Sequence, residues 1–282
     1  MNAYVLGLLT LNSIMIIFAL SLNVITGYCG QVSLGHAAFY GIGAYTSAMM
    51  AVAGVPFLAT IPAAMVLSAI FGYFVGLTSL RVRHDFLAIT TMACGFLFLG
   101  VVRKSTFLGG ELGISSVPPS GLGSLGDTLL AVGSALVVII LSLYIQKNWT
   151  GLAFRAVESD EDAARTVAVN PPSYKLLAFC LGTALAGLAG ALYVNYARFI
   201  VPDTFSFGTS IAVLAMITIG GIGSTFGVCA GAILLTLFPE VFRFLGNYRL
   251  LTYGSLLILV MMFIPKGLAG VPAILYRRSS SP

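Results

Sequence analysis

Hydrophobic positions dominate this chain in long unbroken runs, and polar positions gather into a few short stretches. No Asp, Glu, Lys or Arg occurs from Met1 to Leu80. Crossing the hydrocarbon of a bilayer takes about 20 apolar residues in a helix, so that run alone has room for three crossings. The pattern predicts a helix over residues 4–25, a Gly-rich stretch over 26–50, and a helix over 57–80 after a turn at Val55-Pro56. Helices over 86–102, 128–146 and 176–197 follow. Residues 204–239 are again uncharged, long enough for two crossings, with a break expected at GGIGSTFG, residues 220–227. A last span is expected over 250–264. The expected fold is all-α and integral to a membrane: one domain over 1–282, a helical bundle of about 8–10 crossings.

Composition agrees with this pattern. Only 8% of residues are charged, 59% are hydrophobic and the mean hydropathy is +1.02. A soluble domain carries roughly 25% charged residues, and so few charges cannot cover a water-facing surface. The opening lacks a basic segment and stays apolar beyond the length of a secretory signal. The net charge of +5 matches the positive-inside bias of membrane proteins and does not call for nucleic acid. Arg81, Arg83, Lys147, Arg155, Arg165, Lys175, Lys266, Arg277 and Arg278 fall on one side of the expected topology. Arg103, Lys104, Arg198, Arg243 and Arg249 fall on the other. The larger set marks the cytoplasmic side, with a cytoplasmic tail over 266–282. Cys29, Cys94, Cys180 and Cys229 each sit in apolar sequence without paired spacing, so they read as buried small side chains.

Motifs for other chemistries fail on context. Residues 121–126, GLGSLG, match GxGxxG but lack the strand and the distant acid of a dinucleotide site. No GxxxxGK[ST] occurs, so the chain is expected to hold no ATP by a P-loop. His36 and His84 lie far apart with no ligand set around them, and no metal site is expected. No acid falls at the centre of an expected span. Charged groups there usually mark ion or proton routes, so ion-coupled secondary transport is the weaker alternative.

Two stretches stand apart. Residues 26–50, TGYCGQVSLGHAAFYGIGAYTSAMM, are dense in Gly and carry Gln31, Ser33 and His36. Broken backbone at membrane depth survives only against protein or a wet cavity, so this stretch is expected inside the bundle. Asn23, Gln31, Ser33, His36, Asn195 and Thr218 are candidate lining groups of a translocation path. Gly27, Gly30, Gly35, Gly41, Gly43, Gly220, Gly221 and Gly223 are candidate packing or gating glycines. The pairs Gly27/Gly30 and Gly220/Gly223 hint at an internal duplication.

The second stretch is a polar island over 147–175. It holds Lys147, Arg155, Arg165 and Lys175 with Glu158, Asp160, Glu161 and Asp162. Ser159 before Asp160-Glu161-Asp162 has the form of a helix start. Asn170-Pro171-Pro172 is expected to stop that helix, which then covers about 160–169. A second helical piece is expected around 151–156. The island is longer than an ordinary helix connection and reads as a docking element.

The island, GLAFRAVESDEDAARTVAVNPPSYK, resembles the cytoplasmic loop of LivM-like branched-chain amino-acid ABC transporter permeases. The resemblance extends to LSLNVITGYCGQVSLGHAAFYGIGAYTSA at 20–48, LGGELGISSVP at 108–118 and PDTFSFGTSIAVLAMITIGGIGSTFGVCAGA at 202–232. It continues through YRLLTYGSLLILVMMFIPKGLAG at 248–270. It implies a type II-like permease subunit, itself not an enzyme, in a bacterial or archaeal cytoplasmic (inner) membrane. Implied partners are a second, LivH-like permease, two ABC ATPase subunits that hold ATP and Mg, an extracytoplasmic binding protein and membrane lipid. The ATPase contacts implied are Arg155, Glu158, Asp160, Glu161, Asp162 and Arg165. The cargo implied is a branched-chain or related amino acid, with urea, amides and aromatic acids as alternatives. The chain departs from the family at Ala168, where Gly is usual, at Pro171-Pro172, and at Leu108, where Thr is usual.

Overall fold

The computed structural model describes residues 3–79, 84–115, 117–241, 262 and 268. The last expected span and Arg81, Arg83, Arg243, Arg249, Lys266, Arg277 and Arg278 lie outside the described residues. The described residues form ten α-helices, in order: α1 Ala3–Leu22, α2 His36–Val52, α3 Phe57–Ser79, α4 His84–Lys104 and α5 Gly123–Lys147. Then come α6 Trp149–Ser159, α7 Glu161–Thr166, α8 Pro171–Ala197, α9 Phe207–Gly220 and α10 Thr225–Val241. Among the described residues, five helical segments are long and apolar enough to cross a membrane, and α9 and α10 contain shorter apolar stretches. The chain is therefore an all-α, multi-pass membrane protein.

Helix α8 is the hub, with most of its length buried from Ala178 to Asn195. Its 27 residues span about 40 Å at 1.5 Å per residue. Small side chains let its neighbours approach to backbone contact. A methyl group on Gly43 of α2 would lie 2.4 Å from Gly187 Cα in α8, and one on Gly190 would lie 2.1 Å from the Tyr40 carbonyl. A methyl on Gly187 would meet the Ala64 carbonyl of α3 at 2.6 Å, and one on Gly182 the Ser21 carbonyl of α1 at 2.7 Å. Helices α1, α2 and α3 thus pack round α8 along one seam of Gly and Ala.

Connections sort onto the two ends of α8. At its C-terminal end, Ile114 pairs with Ile200 as an isolated bridge, and Arg103 pairs with Asp203. At its N-terminal end sit α6, α7 and the last turn of α5. The described basic residues follow the expected division: Lys147, Arg155, Arg165 and Lys175 at one end, Arg103, Lys104 and Arg198 at the other. The break expected within 220–227 is observed as a turn between Gly220 and Thr225.

Candidate functional site: a broken helix and the island beneath it

Helix α1 does not end cleanly. Asn23–Tyr28 widen into a π-helical turn, and residues 29–35 then run without helix to α2. This irregular backbone is mostly buried, and protein partners replace water. Gln31 N–H donates to the Ile25 carbonyl at 3.1 Å, and Thr26 Oγ1 donates to the Gln31 carbonyl at 3.0 Å. Leu34 N–H donates to Thr91 Oγ1 and Ala37 N–H to Ser210 Oγ, both at 3.0 Å. The expectation of broken backbone held inside the bundle is met.

Four of the six predicted path residues gather on this break. The side chain of Asn23 accepts from the Gly223 amide at 2.9 Å. Ser33 is fully buried, and its hydroxyl has no partner among the described residues. His36 Nε2 bonds Ser21 Oγ at 2.7 Å, its ring stacks on Phe18 at 5.4 Å, and Nδ1 has no partner among the described residues. Gln31 turns towards the island, with Nε2 donating to the Lys175 carbonyl at 3.1 Å. The other two lie elsewhere. Asn195 is buried near the C-terminal end of α8, and Thr218 donates to the Leu214 carbonyl of its own helix. An apolar groove of about 570 Å³ between α2, α3 and α4 is lined by Phe39, Tyr45, Phe71 and Phe98 among others. None of the six path candidates lines it.

The predicted glycines are points of close approach. A methyl on Gly27 would lie 2.7 Å from the Gly223 nitrogen, and one on Gly35 would lie 1.8 Å from the Thr91 carbonyl. Gly41 faces Phe98 and Phe205, and Gly220 faces the Gly227 carbonyl. Gly221 and Gly223 make the α9–α10 turn at φ +107° and +83°. The two glycine pairs read as a duplication thus meet in space, at Gly27 and Gly223. Gln146 of α5 reaches the same turn, donating to the Gly223 carbonyl at 2.6 Å.

The island forms two helices, and here the local expectations need correction. Ser159 is the last residue of α6 and does not cap α7. Asp160 is the cap, its carboxylate accepting from the amides of Asp162 and Ala163 at 2.8 and 3.1 Å. An ionised carboxylate suits the positive end of a helix dipole. Helix α7 ends at Thr166, short of the expected 169, and Asn170-Pro171-Pro172 does not stop it. Pro171 instead opens α8, where the missing N–H costs nothing. The stop is a Schellman turn: Val169 N–H bonds the Ala164 carbonyl at 3.1 Å and Ala168 N–H the Arg165 carbonyl at 3.2 Å.

Helix α6 buries Gly151, Ala153, Phe154 and Val157, and Phe154 meets Tyr174 of α8 edge-on at 6.1 Å. The six predicted docking residues lie along α6 and α7, and each has a neighbour within the chain. Arg155 donates to the Gln146 carbonyl at 3.1 Å, and Asp160 caps α7. Glu158 lies against Gly30. Glu161 pairs with Lys175, and Asp162 pairs with Arg165 at 2.9 Å. The outward face carries apolar side chains that the charge pattern hid: Trp149 is 67% exposed, Leu152 53% and Val167 63%.

Residues 4–265 match the model of the family described as "Branched-chain amino acid transport system / permease component". The chain belongs to this family. It is 34% identical to the high-affinity branched-chain amino acid transport system permease protein LivM of Escherichia coli K12, covering 92% of this chain and 68% of that protein. It is 27% identical to BraD of Pseudomonas aeruginosa and 24% identical to LivH of Escherichia coli K12, each over 94% of both chains. No solved structure matches the chain significantly.

One departure of this branched-chain permease family chain now has a physical account. Ala168 holds φ +60° in the Schellman turn, the position where a left-handed residue is needed and Gly is favoured. The left-handed region costs an L-residue about 1–2 kcal/mol, partly offset by the smaller unfolded-state entropy of Ala. Ala168→Gly is expected to stabilise the island by roughly 0.5–1 kcal/mol. Slower amide exchange across 160–169 would confirm it, and faster exchange would contradict the turn geometry.

Proposed function

We propose that the chain is the transmembrane permease subunit of an ATP-driven importer for a small amino acid, branched-chain or related. Family membership over residues 4–265 carries this reading. The island supports it: two short helices at the N-terminal end of α8, packed on the bundle by Phe154 and presenting Trp149, Leu152 and Val167 outward. A mixed surface of exposed apolar groups among charges suits a protein groove better than water or lipid.

In this reading the working unit contains a second, LivH-like permease, two ATPase subunits and an extracytoplasmic binding protein, in a bacterial or archaeal inner membrane. ATP and Mg stay in the ATPases. The island seats on one of them, with Leu152 and Val167 entering its groove and Arg155, Glu158, Asp160, Glu161, Asp162 and Arg165 forming the polar surround. Nucleotide binding shifts the island, and the shift opens the region around the α1–α2 break to alternate sides. The delivered amino acid follows that route, its choice set mainly by the binding protein.

Uptake in proteoliposomes holding all subunits tests this. Wild type is expected to capture both ATPases and to import only with ATP. Leu152→Asp combined with Val167→Asp is expected to cut ATPase capture at least tenfold while the chain stays inserted. Import driven by a proton gradient without ATPases would overturn the proposal, as would undiminished capture by the double variant.

A further inference from the structure

Gln31 is polar, 1% exposed, and sits where an apolar residue would cost less. Its amide spans two parts of the chain 144 positions apart, donating from the loop after α1 to the Lys175 carbonyl in the second turn of α8. One residue earlier, Gly30 at φ +70° lies against the island. A methyl group there would be 3.0 Å from Glu158 Cγ and 3.4 Å from Glu158 Cα and Cβ. Lys175 in turn reaches Glu161 of α7. The loop is therefore held by α6 through Glu158 and by α8 through Gln31, while the same stretch of α8 holds α7.

The far side of the loop leads elsewhere. Leu34 N–H is fixed on Thr91 of α4, Gly35 touches the Thr91 carbonyl, and Ala37 N–H is fixed on Ser210 of α9. A displacement of the island has two routes into the bundle: along α5 and α8, to which it is covalently joined, or across Gln31 into the loop and the start of α2.

We infer that Gln31 is a positioning residue that makes the loop at 29–35 move with the island as one body, so that motion of the island reaches α2, α4 and α9. This rests on the island being the ATPase seat. The role differs from lining a path: the Gln31 amide is occupied by the Lys175 carbonyl. A lost buried hydrogen bond of this kind leaves the carbonyl on α8 with its helical partner alone and frees the loop to lag behind the island.

Two measurements test it in the full complex in proteoliposomes. The first is amino acid imported per ATP hydrolysed. Gln31→Leu keeps the side-chain bulk and removes the donor, and is expected to lower that ratio at least fivefold while ATPase subunits still co-purify. A ratio equal to wild type overturns the inference. The second needs no loss of the amide. In a chain with its four cysteines replaced by Ser, Gly30→Cys and Glu158→Cys would place two Cβ atoms 3.4 Å apart, at the short edge of the roughly 3.5–4.5 Å a disulfide needs. The bridge is expected to form, and oxidised and reduced forms of this same variant are expected to import at equal rates, because the two segments do not separate during the cycle. Failure of the bridge to form, or uptake that stops on oxidation and returns on reduction, overturns the inference. Wild type that captures no ATPase at all sinks the underlying reading instead, so the two failures are distinguishable.

Discussion

Gly43→Val is expected to lower the melting temperature of the chain sharply by overpacking the α2–α8 contact. A Cβ at this position would sit 2.4 Å from both the Cα and the carbonyl oxygen of Gly187. Those atoms are backbone on an opposing helix, so no rotamer change relieves the clash. Helices α2 and α8 would have to part by about 1 Å to reach ordinary carbon contact at 3.5–4.0 Å. Parting them also opens the Gly190–Tyr40 approach beside it, and the buried Ala44, Ala186 and Ala189 lose neighbours. Overpacking usually costs about 1–3 kcal/mol, and rigid backbone on both sides puts Gly43→Val at or above the top of that range. Against a typical total of about 5–15 kcal/mol, a fall of roughly 10 °C in Tm in detergent is expected. Gly133 of α5 supplies the control, since a methyl there meets nothing within 4 Å among the described residues. Gly133→Ala should melt at or slightly above wild type, because Ala is the better helix former. Equal melting of Gly43→Val and wild type would disprove the backbone contact between α2 and α8.

That seam shows what was legible in the sequence and what was not. Membrane crossings follow from the length of apolar runs, a one-dimensional quantity, and so the helices around 4–25, 57–80, 128–146 and 176–197 emerge near their observed limits. Glycine density told that 26–50 packs closely, but not against what. Gly43 finds Gly187, and Gly35 finds Thr91, only once the chain is folded. The island was visible as a cluster of charge, yet the duties within it were not. Pro171 lacks an N–H whether it ends one helix or begins the next, and nothing local separates the two. Asp160 and Ser159 are both good caps, and the choice between them was settled by where Phe154 and Val157 bury α6. Gln31 looked like a path residue because it is polar inside an apolar stretch. Its partner, a backbone carbonyl at position 175, carries no sequence signal. Leu152 and Val167 were hidden for the opposite reason: apolar residues beside charges read as helix filler until their exposure is seen.

Breaking the Glu161–Lys175 pair is expected to melt the island's second helix and spare the bundle. Helix α7 has six residues, far fewer than the 12–15 or so an isolated helix needs in water. It persists because of its ends and its anchor. Asp160 caps the first turn, the Schellman turn closes the last, and Glu161 ties it to α8. The Asp162–Arg165 pair is largely exposed, at 88% and 59% of the two side chains, and surface pairs contribute little. Glu161 and Lys175 are different, with side chains 24% and 11% exposed. Removing one partner from a buried pair costs about 3–5 kcal/mol, mostly by stranding the other charge. The residual exposure here lowers that to about 2 kcal/mol for Glu161→Gln. Restoring neutrality with Lys175→Met removes the stranded ammonium and keeps an unbranched apolar stem of similar reach to pack. The double variant is thus expected to recover more than half of the loss, a coupling of at least about 1 kcal/mol in a double-mutant cycle. Hydrogen exchange gives the readout: Glu161→Gln should lose protection at residues 160–169 while α8 beyond Gly182 keeps its own. Additive effects of the two substitutions, or loss of protection throughout α8, would refute a local tie between the helices. The location of the loss matters because a short helix held by one buried ion pair and two capped ends transmits force only while all three hold. The stiffness of the proposed ATPase seat therefore depends on a contact made inside this chain before any partner arrives.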